Sequence, residues 1–258
     1  MGLSAIGTAM ITIDDQLLDR LASARHVVFF TGAGMSAESG VPTFRGEDGI
    51  WKKLKPEELA NFNAFIRNPE IVWEWYKHRK KIMADIVPHK GYEVIARLER
   101  LYTTVTVITQ NIDNLHRRAG STNVVELHGN IERNYCITCG EPYDDRKIPE
   151  SEGVPRCEQC GGLVRPDVVW FGENLPEDEW ARAVRAAGSA DVFFSVGTSA
   201  VVYPAASIPQ YARRSGAYCV EINPEPTPLW SVMNSVIQAK AGDALLQIEE
   251  ELKGRIRR

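Results

Sequence analysis

Val27-Val28-Phe29-Phe30-Thr31-Gly32-Ala33-Gly34-Met35-Ser36-Ala37-Glu38-Ser39-Gly40-Val41-Pro42-Thr43-Phe44-Arg45 is the stretch on which the fold turns. Val27 to Phe30 form an apolar run too short for a helix and too apolar to be exposed, so they predict a buried strand. The strand runs into Gly32-Ala33-Gly34, after which Ser36, Ala37 and Glu38 suit a helix start. Glycines at such a turn let backbone N–H groups approach a phosphate closely, and the helix end behind them favours negative charge. A pyrophosphate seat is the direct reading; a short G-x-G turn is equally a plain strand-to-helix turn. Pro42 cannot continue a regular helix. Gly40 to Arg45 therefore form a loop that carries the ring of Phe44 and the guanidinium of Arg45 beside the phosphate site. A plain dinucleotide unit would proceed to a second strand and an acidic residue about 20 positions on. None follows here, and the stretch reads as a dinucleotide site with a reactive loop built into it.

The remaining totals bound the answer. With 258 residues, 44% hydrophobic and 25% charged, the chain has an ordinary globular composition and fits one large domain, or a large one with a smaller insertion. A formal net charge of −4 gives no support to a nucleic-acid binder held by bulk charge. No window approaches about 18 unbroken apolar residues, so no membrane span is expected. No charged region followed by an apolar core opens the chain, and no secretion signal is evident. Five cysteines are present; four form two C-x-x-C pairs and Cys219 stands alone. That usage suits metal binding in a reducing cytoplasm better than a disulfide framework.

Taken in order, Asp14 or Asp15 can cap a first helix with Leu17, Leu18 and Leu21 on one face. Between Gly46 and Asp85, Trp51, Phe62, Phe65, Trp73, Trp75 and Tyr76 sit among charges, and Pro56 and Pro69 mark helix starts. This segment predicts an aromatic-rich helical lid. Val94, Ile95, Leu98 and Leu101 make a further helix face. Thr103 to Thr109 predict a strand ending in Gln110-Asn111-Ile112-Asp113, and Val124 to Leu127 one ending at His128-Gly129. Residues 132–165 hold the cysteines without strong periodicity. Alternation then returns: a helix from Pro176 and Glu177, a strand Val192 to Val196 running into Gly197-Thr198-Ser199, a helical stretch Tyr203 to Arg214, and a strand Ala217 to Ile222 ending at Asn223-Pro224. Strands alternating with helices argue for an α/β fold with a parallel, doubly wound sheet.

Cys136-x-x-Cys139 and Cys157-x-x-Cys160, with 17 residues between the pairs, match a four-thiolate zinc site in number and spacing. Gly140, Gly161 and Gly162 allow the tight turns that aim both pairs at one ion. Four thiolates fill a tetrahedral zinc and leave no position for water, so the metal is expected to be structural. A redox role for either pair is the weaker alternative. His128, at a strand end, is of a kind usually structural. Here Gln110, Asn111 and Asp113 end the neighbouring strand, and an imidazole can take a proton near neutral pH. Asn111 and Asp113 could bind a carboxamide such as nicotinamide; they also suit a simple turn.

Together, G-A-G-x-S, G-V-P-T-F-R, T-Q-N-I-D, E-L-H-G, the four cysteines, V-V-W-F-G-E, G-T-S and I-N-P, in order from about Ala24 to Gly242, resemble the sirtuins, NAD-dependent protein-lysine deacylases, in their prokaryotic and archaeal form. The resemblance implies a Rossmann-like domain (residues 1–45, 87–131 and 166–258) with an inserted small domain (46–86 and 132–165) made of a helical module and a four-cysteine zinc ribbon. It implies that Gly32, Ala33, Gly34, Ser36, Ala37, Glu38, Thr43, Phe44, Arg45 and Trp51 lie in the NAD segment. Gln110, Asn111, Ile112 and Asp113 would serve its nicotinamide side. Gly197, Thr198, Ser199, Asn223, Pro224, Glu225 and Ala241 would hold the adenosine half. Val169, Trp170, Phe171, Gly172 and Glu173 resemble the strand that pairs with the substrate peptide. His128 would be the general base, and the products free lysine, nicotinamide and 2′-O-acyl-ADP-ribose. The partners implied are acylated-lysine proteins or peptides. We expect a cytoplasmic monomer with no nucleic acid or membrane partner.

Trp73 to Arg79 is predicted helical, which places Tyr76 and Arg79 on one face. A phenol and a guanidinium together can hold a carboxylate, the Arg in bidentate fashion. The pair resembles the class III sirtuins, which remove succinyl, malonyl or glutaryl groups, and Thr43 stands where many deacetylase-type members have Asp. With Lys77, Lys80 and Lys81 nearby, the same face also reads as solvated. Other classes remain open at this point: mainly a deacetylase, a silent NAD or ADP-ribose-binding module, a mono-ADP-ribosyltransferase, or a zinc-ribbon adaptor, which the acidic balance disfavours. Cys219 reads as a core thiol, and Lys253 to Arg258 as a solvated helix end.

Overall fold

A computed structural model describes residues 11–41, 59–148 and 153–256. Pro42, Thr43, Phe44, Arg45, Trp51 and Pro56, and with them the loop expected to flank the phosphate site, lie outside the described residues. The strands are β1 (His26–Thr31), β2 (Thr104–Thr109), β3 (Val124–Glu126), β4 (Gly129–Cys136), β5 (Pro142–Tyr143), β6 (Val164–Val168), β7 (Val192–Val196), β8 (Tyr218–Ile222) and β9 (Ser235–Ile237).

Six of them form one sheet in the order β3-β2-β1-β7-β8-β9, parallel throughout. From β1 the chain builds outward to β2 and β3, then returns to β7 on the other side. The order therefore reverses between β1 and β7, and a crevice opens at the carboxyl ends of these two strands. β7 and β8 are buried along their whole length, as strands covered on both faces must be. Successive residues point to opposite faces. Phe29 stacks on Phe194 at 4.9 Å on one face, and Phe30 on Phe193 at 6.2 Å on the other. The first face is covered by helices Asp15–Ser23, Lys90–Leu98 and Ala241–Ile256 through Leu17, Leu21, Ile95, Leu98, Leu245 and Leu252. Helices Glu177–Gly188 and Ile208–Arg214 cover the second, where Ala183, Ala187 and Ala212 allow close approach.

A third core joins helices Phe62–Arg67 and Pro69–Asp85 to the antiparallel sheet β5-β4-β6, through Phe65, Trp73, Tyr76, Val164 and Trp170 with Cys136 and Cys157. Pro69 opens its helix at the position where a missing N–H costs nothing. Trp73 Nε1 donates to the Val164 carbonyl at 2.8 Å, and Arg118 closes the helix end by donating to the carbonyls of Met83, Ala84 and Ile86 at 2.8, 3.3 and 2.6 Å. β4 continues from the carboxyl end of β3 into this smaller unit, and β6, antiparallel to it, leads back, so the two strands join the two parts.

Several expectations need correction. The first short helix is Ala33–Ala37, so it begins at the glycine turn itself and not at Ser36. Leu101 lies past the end of helix Lys90–Leu98 and is exposed. The helical stretch after β7 begins with a 3-10 turn at Ala205–Ser207 that leads into helix Ile208–Arg214, leaving Tyr203 outside it and exposed. Val169–Glu173 is irregular, with a turn at Phe171 and Gly172, because β6 ends at Val168. Residues 132–165, without periodicity, contain parts of β4 and β6 and the whole of β5. The basic tail is not merely solvated: Arg255 pairs with Asp15 and Asp19 of the first helix, and Lys253 with Glu249. No helix among the described residues is long and apolar enough to cross a membrane.

Candidate active site

A cleft of about 940 Å³ lies at the carboxyl ends of the parallel strands, between the large sheet and the smaller unit. One wall is the glycine turn. Gly32 N–H donates to the Val196 carbonyl at 3.0 Å and Gly34 N–H to the Gly197 carbonyl at 2.7 Å. A Cβ on Gly34 would stand 2.7 Å from Gly197 Cα, and Gly197 itself has φ +59°. The glycines thus let the turns after β1 and β7 press together. The N–H groups of Gly32 and Gly34 are engaged in that contact. Ala33 and Ala37 line the cleft beside them, with Thr198, Ser199, Asn223, Pro224, Glu225 and Ala241 further along. Glu38, also on the cleft, accepts from Gly242 N–H at 2.9 Å and so caps the C-terminal helix.

His128 sits between β3 and β4, where the chain passes from one sheet to the other. Its carbonyl accepts from Val169 N–H at 3.0 Å. Gly129 follows with φ +79°, and a Cβ there would fall 2.1 Å from the Asp167 carbonyl oxygen, so the residue after the histidine must be glycine. His128 Nδ1 lies 2.8 Å from the Gln110 carbonyl oxygen. A carbonyl only accepts, so the proton is on Nδ1, and Nε2 keeps its lone pair. Burial lowers the pKa of the ring below its ordinary value, and the Gln110 contact opposes this in part. The arrangement provides a neutral base on the cleft wall.

Gln110, Asn111 and Ile112 line the cleft, whereas Ser36 and Asp113 are buried behind it. Asn111 Nδ2 donates to the Gly32 carbonyl and to Ser36 Oγ, each at 2.9 Å. Ser36 Oγ donates to Asp113 Oδ2 at 2.5 Å, and Leu115 N–H to Asp113 Oδ1 at 3.0 Å. Burial raises the Asp113 pKa, and the Ser36 and Leu115 bonds hold it down in part. Both carboxylate oxygens of Asp113 are thus engaged inside the protein.

The opposite wall carries Val169, Trp170, Phe171, Gly172 and Glu173, with Tyr76 and Arg79 at its base. Trp170 Nε1 donates to Tyr76 Oη at 2.7 Å, and the Arg79 guanidinium lies 4.8 Å over the Trp75 ring. Arg165, Val202, Tyr203 and Lys240 escaped the sequence reading. Val202, Tyr203 and Lys240 line the cleft, and Val201 to Tyr203 form an exposed apolar run that carried a signal. Arg165, behind that wall, is 3% exposed.

In the smaller unit the Sγ atoms of Cys136, Cys139, Cys157 and Cys160 lie within 4.8 Å of one another. Cys136–Cys160 and Cys139–Cys160 are 3.5 Å apart and Cys139–Cys157 3.6 Å. A disulfide would bring sulfurs to about 2.05 Å, whereas a zinc tetrahedron with bonds of about 2.3 Å sets them roughly 3.8 Å apart. Gly140 and Gly161 take φ +75° and +71° directly after the two pairs, and a Cβ on Gly162 would strike Thr138 Oγ1 at 2.5 Å. The four thiols fit one structural zinc.

A model of the Sir2 family matches residues 32–204. The NAD-dependent protein deacylase 2 of Pyrobaculum aerophilum is 54% identical over 239 residues, 93% of this chain and 96% of that protein. The NAD-dependent protein deacylase of Aquifex aeolicus is 48% identical over 228 residues, 88% and 95% of the two chains. Among solved structures, a Sir2 homologue in complex with NAD superposes with a TM-score of 0.89 at 43% identity, covering 95% of this chain and 96% of that one. A Sir2 protein with a deacetylated p53 peptide and 3′-O-acetyl ADP ribose gives 0.82 at 38% identity, covering 92% and 97%. The glycine turn, the histidine between the sheets and the four-cysteine ribbon therefore occur in a chain that belongs to the Sir2 family.

Proposed function

We propose that this chain is an NAD-dependent protein-lysine deacylase that prefers acidic acyl groups and retains weaker deacetylase activity. The observation that carries this reading is the meeting in one cleft of a glycine-turn wall, the Nε2 lone pair of His128, and the Tyr76–Arg79 pair. NAD would lie along Gly32 to Ala37, Gly197 to Ser199 and Asn223 to Glu225, with Gln110 to Ile112 towards its nicotinamide. It supplies the glycosidic bond whose cleavage releases nicotinamide and leaves ADP-ribose to take the acyl group. His128 Nε2 takes the proton of a ribose hydroxyl, while the Gln110 carbonyl keeps the ring in the required tautomer. Val169 to Gly172 would run beside the substrate peptide backbone.

The acyl preference follows from the base of the cleft. Tyr76 and Arg79 are one turn apart on helix Pro69–Asp85, both buried and both on the cleft. A phenol donor and a guanidinium fork are complementary to a carboxylate-ended acyl chain and offer nothing to a methyl group. The ribbon thiols are gathered for a metal and not paired in disulfides, which favours a reducing compartment such as the cytoplasm.

Nicotinamide release from NAD with succinyl-, malonyl- and acetyl-lysine peptides tests both levels of the reading. Release is expected with each and fastest with the acidic acyl groups; no release with any of them refutes the deacylase itself. Arg79→Met should lower kcat/KM for the succinyl peptide by roughly 100-fold, the size of about 2–3 kcal/mol for a charge-assisted bond. An equal loss with the acetyl peptide would remove the carboxylate role.

A further inference from the structure

We propose that Arg165 is a positioning residue for the substrate wall of the cleft, acting through Glu173 and Trp170 to aim the hydroxyl of Tyr76. The wall between Val169 and Glu173 is irregular backbone, held at single points by Val169 N–H to the His128 carbonyl and Phe171 N–H to the Ala60 carbonyl, each at 3.0 Å, and not by a strand ladder. Arg165 lies on β6 behind it. Its Nη1 donates to Glu173 Oε1 at 2.5 Å and its Nη2 to Glu173 Oε2 at 2.9 Å, so a bidentate pair closes the segment from one end to the other. Nη2 also donates to the Val168 carbonyl at 2.7 Å, fixing the point where the strand gives way to the wall.

Trp170 is gripped twice by this pair. Its backbone N–H donates to Glu173 Oε2 at 2.7 Å, and its ring lies 3.4 Å beneath the Arg165 guanidinium. The indole N–H donates to Tyr76 Oη at 2.7 Å. An indole N–H can only donate, so the phenol oxygen must accept there, and the phenol's own proton is left to be given elsewhere. Tyr76 lines the cleft. Trp170 thus turns a group that could donate or accept into a donor facing the substrate. A carboxylate-ended acyl group needs such a donor.

Arg165 is buried and Glu173 half-buried, and such a pair adds little stability over well-packed apolar residues, because desolvation offsets the attraction. Its geometric consequence here is a fixed wall and a fixed indole. The selectivity half of this inference rests on the acyl preference proposed above; the wall-positioning half does not.

Steady-state kinetics with succinyl- and acetyl-lysine peptides, varying peptide and NAD separately, test it. Arg165→Lys keeps the charge but loses the fork and the flat stack. It should raise KM for either peptide about tenfold while KM for NAD stays within about twofold, the effect of one misplaced charged hydrogen bond. Trp170→Phe should lower the succinyl-to-acetyl ratio of kcat/KM about tenfold, and should lower it no further in a Tyr76→Phe background. An unchanged peptide KM in Arg165→Lys, or an equal rise in both KM values, overturns the proposal. So does independent multiplication of the Trp170→Phe and Tyr76→Phe effects. If the wild-type enzyme shows no succinyl preference, the acyl reading fails by itself, and the peptide KM of Arg165→Lys still decides the positioning role. Should Arg165→Lys not fold, Glu173→Gln, which keeps the size and one acceptor oxygen, must show the same split between peptide and NAD.

Discussion

The Gln110 carbonyl oxygen lies 2.8 Å from His128 Nδ1, and this contact decides which ring nitrogen faces the cleft. It also fixes the pH behaviour. In the proposed role His128 acts as the neutral ring, and burial lowers the ring pKa from its ordinary 6.5. The rate of nicotinamide release with acyl peptide should therefore be flat at and above neutral pH, with its acid limb below that value. His128→Ala should lose roughly 100- to 10,000-fold in kcat, the usual worth of a positioned base, with its melting temperature nearly unchanged. An acid limb centred above neutrality, or an undiminished rate in the variant, would count against the assignment.

Gly34→Ala tests how the dinucleotide wall is built. The added methyl would sit 2.7 Å from Gly197 Cα and 2.8 Å from its carbonyl oxygen, both backbone atoms that cannot swing aside. The turns after β1 and β7 must then separate, and the Gly34 N–H to Gly197 bond is lost with them. We expect a loss of about 2–4 kcal/mol in unfolding free energy, the size of an overpacked core with a broken hydrogen bond. NAD binding by calorimetry should weaken at least tenfold. A stable variant with wild-type NAD affinity would show that the apposition of the two turns is not needed.

Acid stability should report on His116. Its ring is fully buried, Nε2 lies 2.9 Å from Thr31 Oγ1, and desolvation, with His89 adding to it, lowers its pKa to about 3. Between the ordinary 6.5 and about 3, the unfolded chain binds this proton and the folded one does not. Stability rises with pH wherever the unfolded state holds more protons, so it falls here on acidification, by about 1.4 kcal/mol per pH unit for one proton. His26 and His128, also lowered by burial, add to the same direction. Urea unfolding of His116→Gln at several pH values should give a slope shallower by about one proton in this window; an identical slope would exclude His116 as its source.

The large sheet was legible because strands buried on both faces read as largely apolar runs, as at Val27 to Phe30. β4 and β6 were hidden for the opposite reason. β6 reads Val-Arg-Pro-Asp-Val, in which partly exposed Asp167 pairs with exposed Arg133 at 2.8 Å while Arg165 is buried in its pair with Glu173. Hydropathy counts such residues as exposed. His128, Gln110 and the cysteines were legible from residue type and spacing. That Asp113 faces inward to Ser36 was not, since Asn-Ile-Asp at a strand end gives no sign of which side chain turns from the cleft. The glycine turn was legible as a turn, but its partner was not: Gly197, in the turn after β7 and 163 positions on from Gly34, presses against it where a Cβ on Gly34 would stand.

Removal of the metal should separate the two parts of the molecule. The four sulfurs cluster at one end of the β5-β4-β6 sheet, and Cys136 and Cys157 belong to the same core as Trp73, Tyr76 and Trp170. Losing the ion leaves four thiolates with no common partner and frees both turns that carry them. A structural zinc contributes about 10 kcal/mol or more to the folding of small zinc domains. We expect a strong chelator, or Cys139→Ser, to abolish retention of about one zinc per chain. Tryptophan fluorescence should shift as the third core loosens, and acyl-peptide binding should fail, while most far-UV signal from the parallel sheet persists. If zinc loss removed activity but left the fluorescence and the melting temperature untouched, the metal would be acting at the chemistry and not in the ribbon. A fully thiolate-ligated tetrahedral ion has no open position for that role.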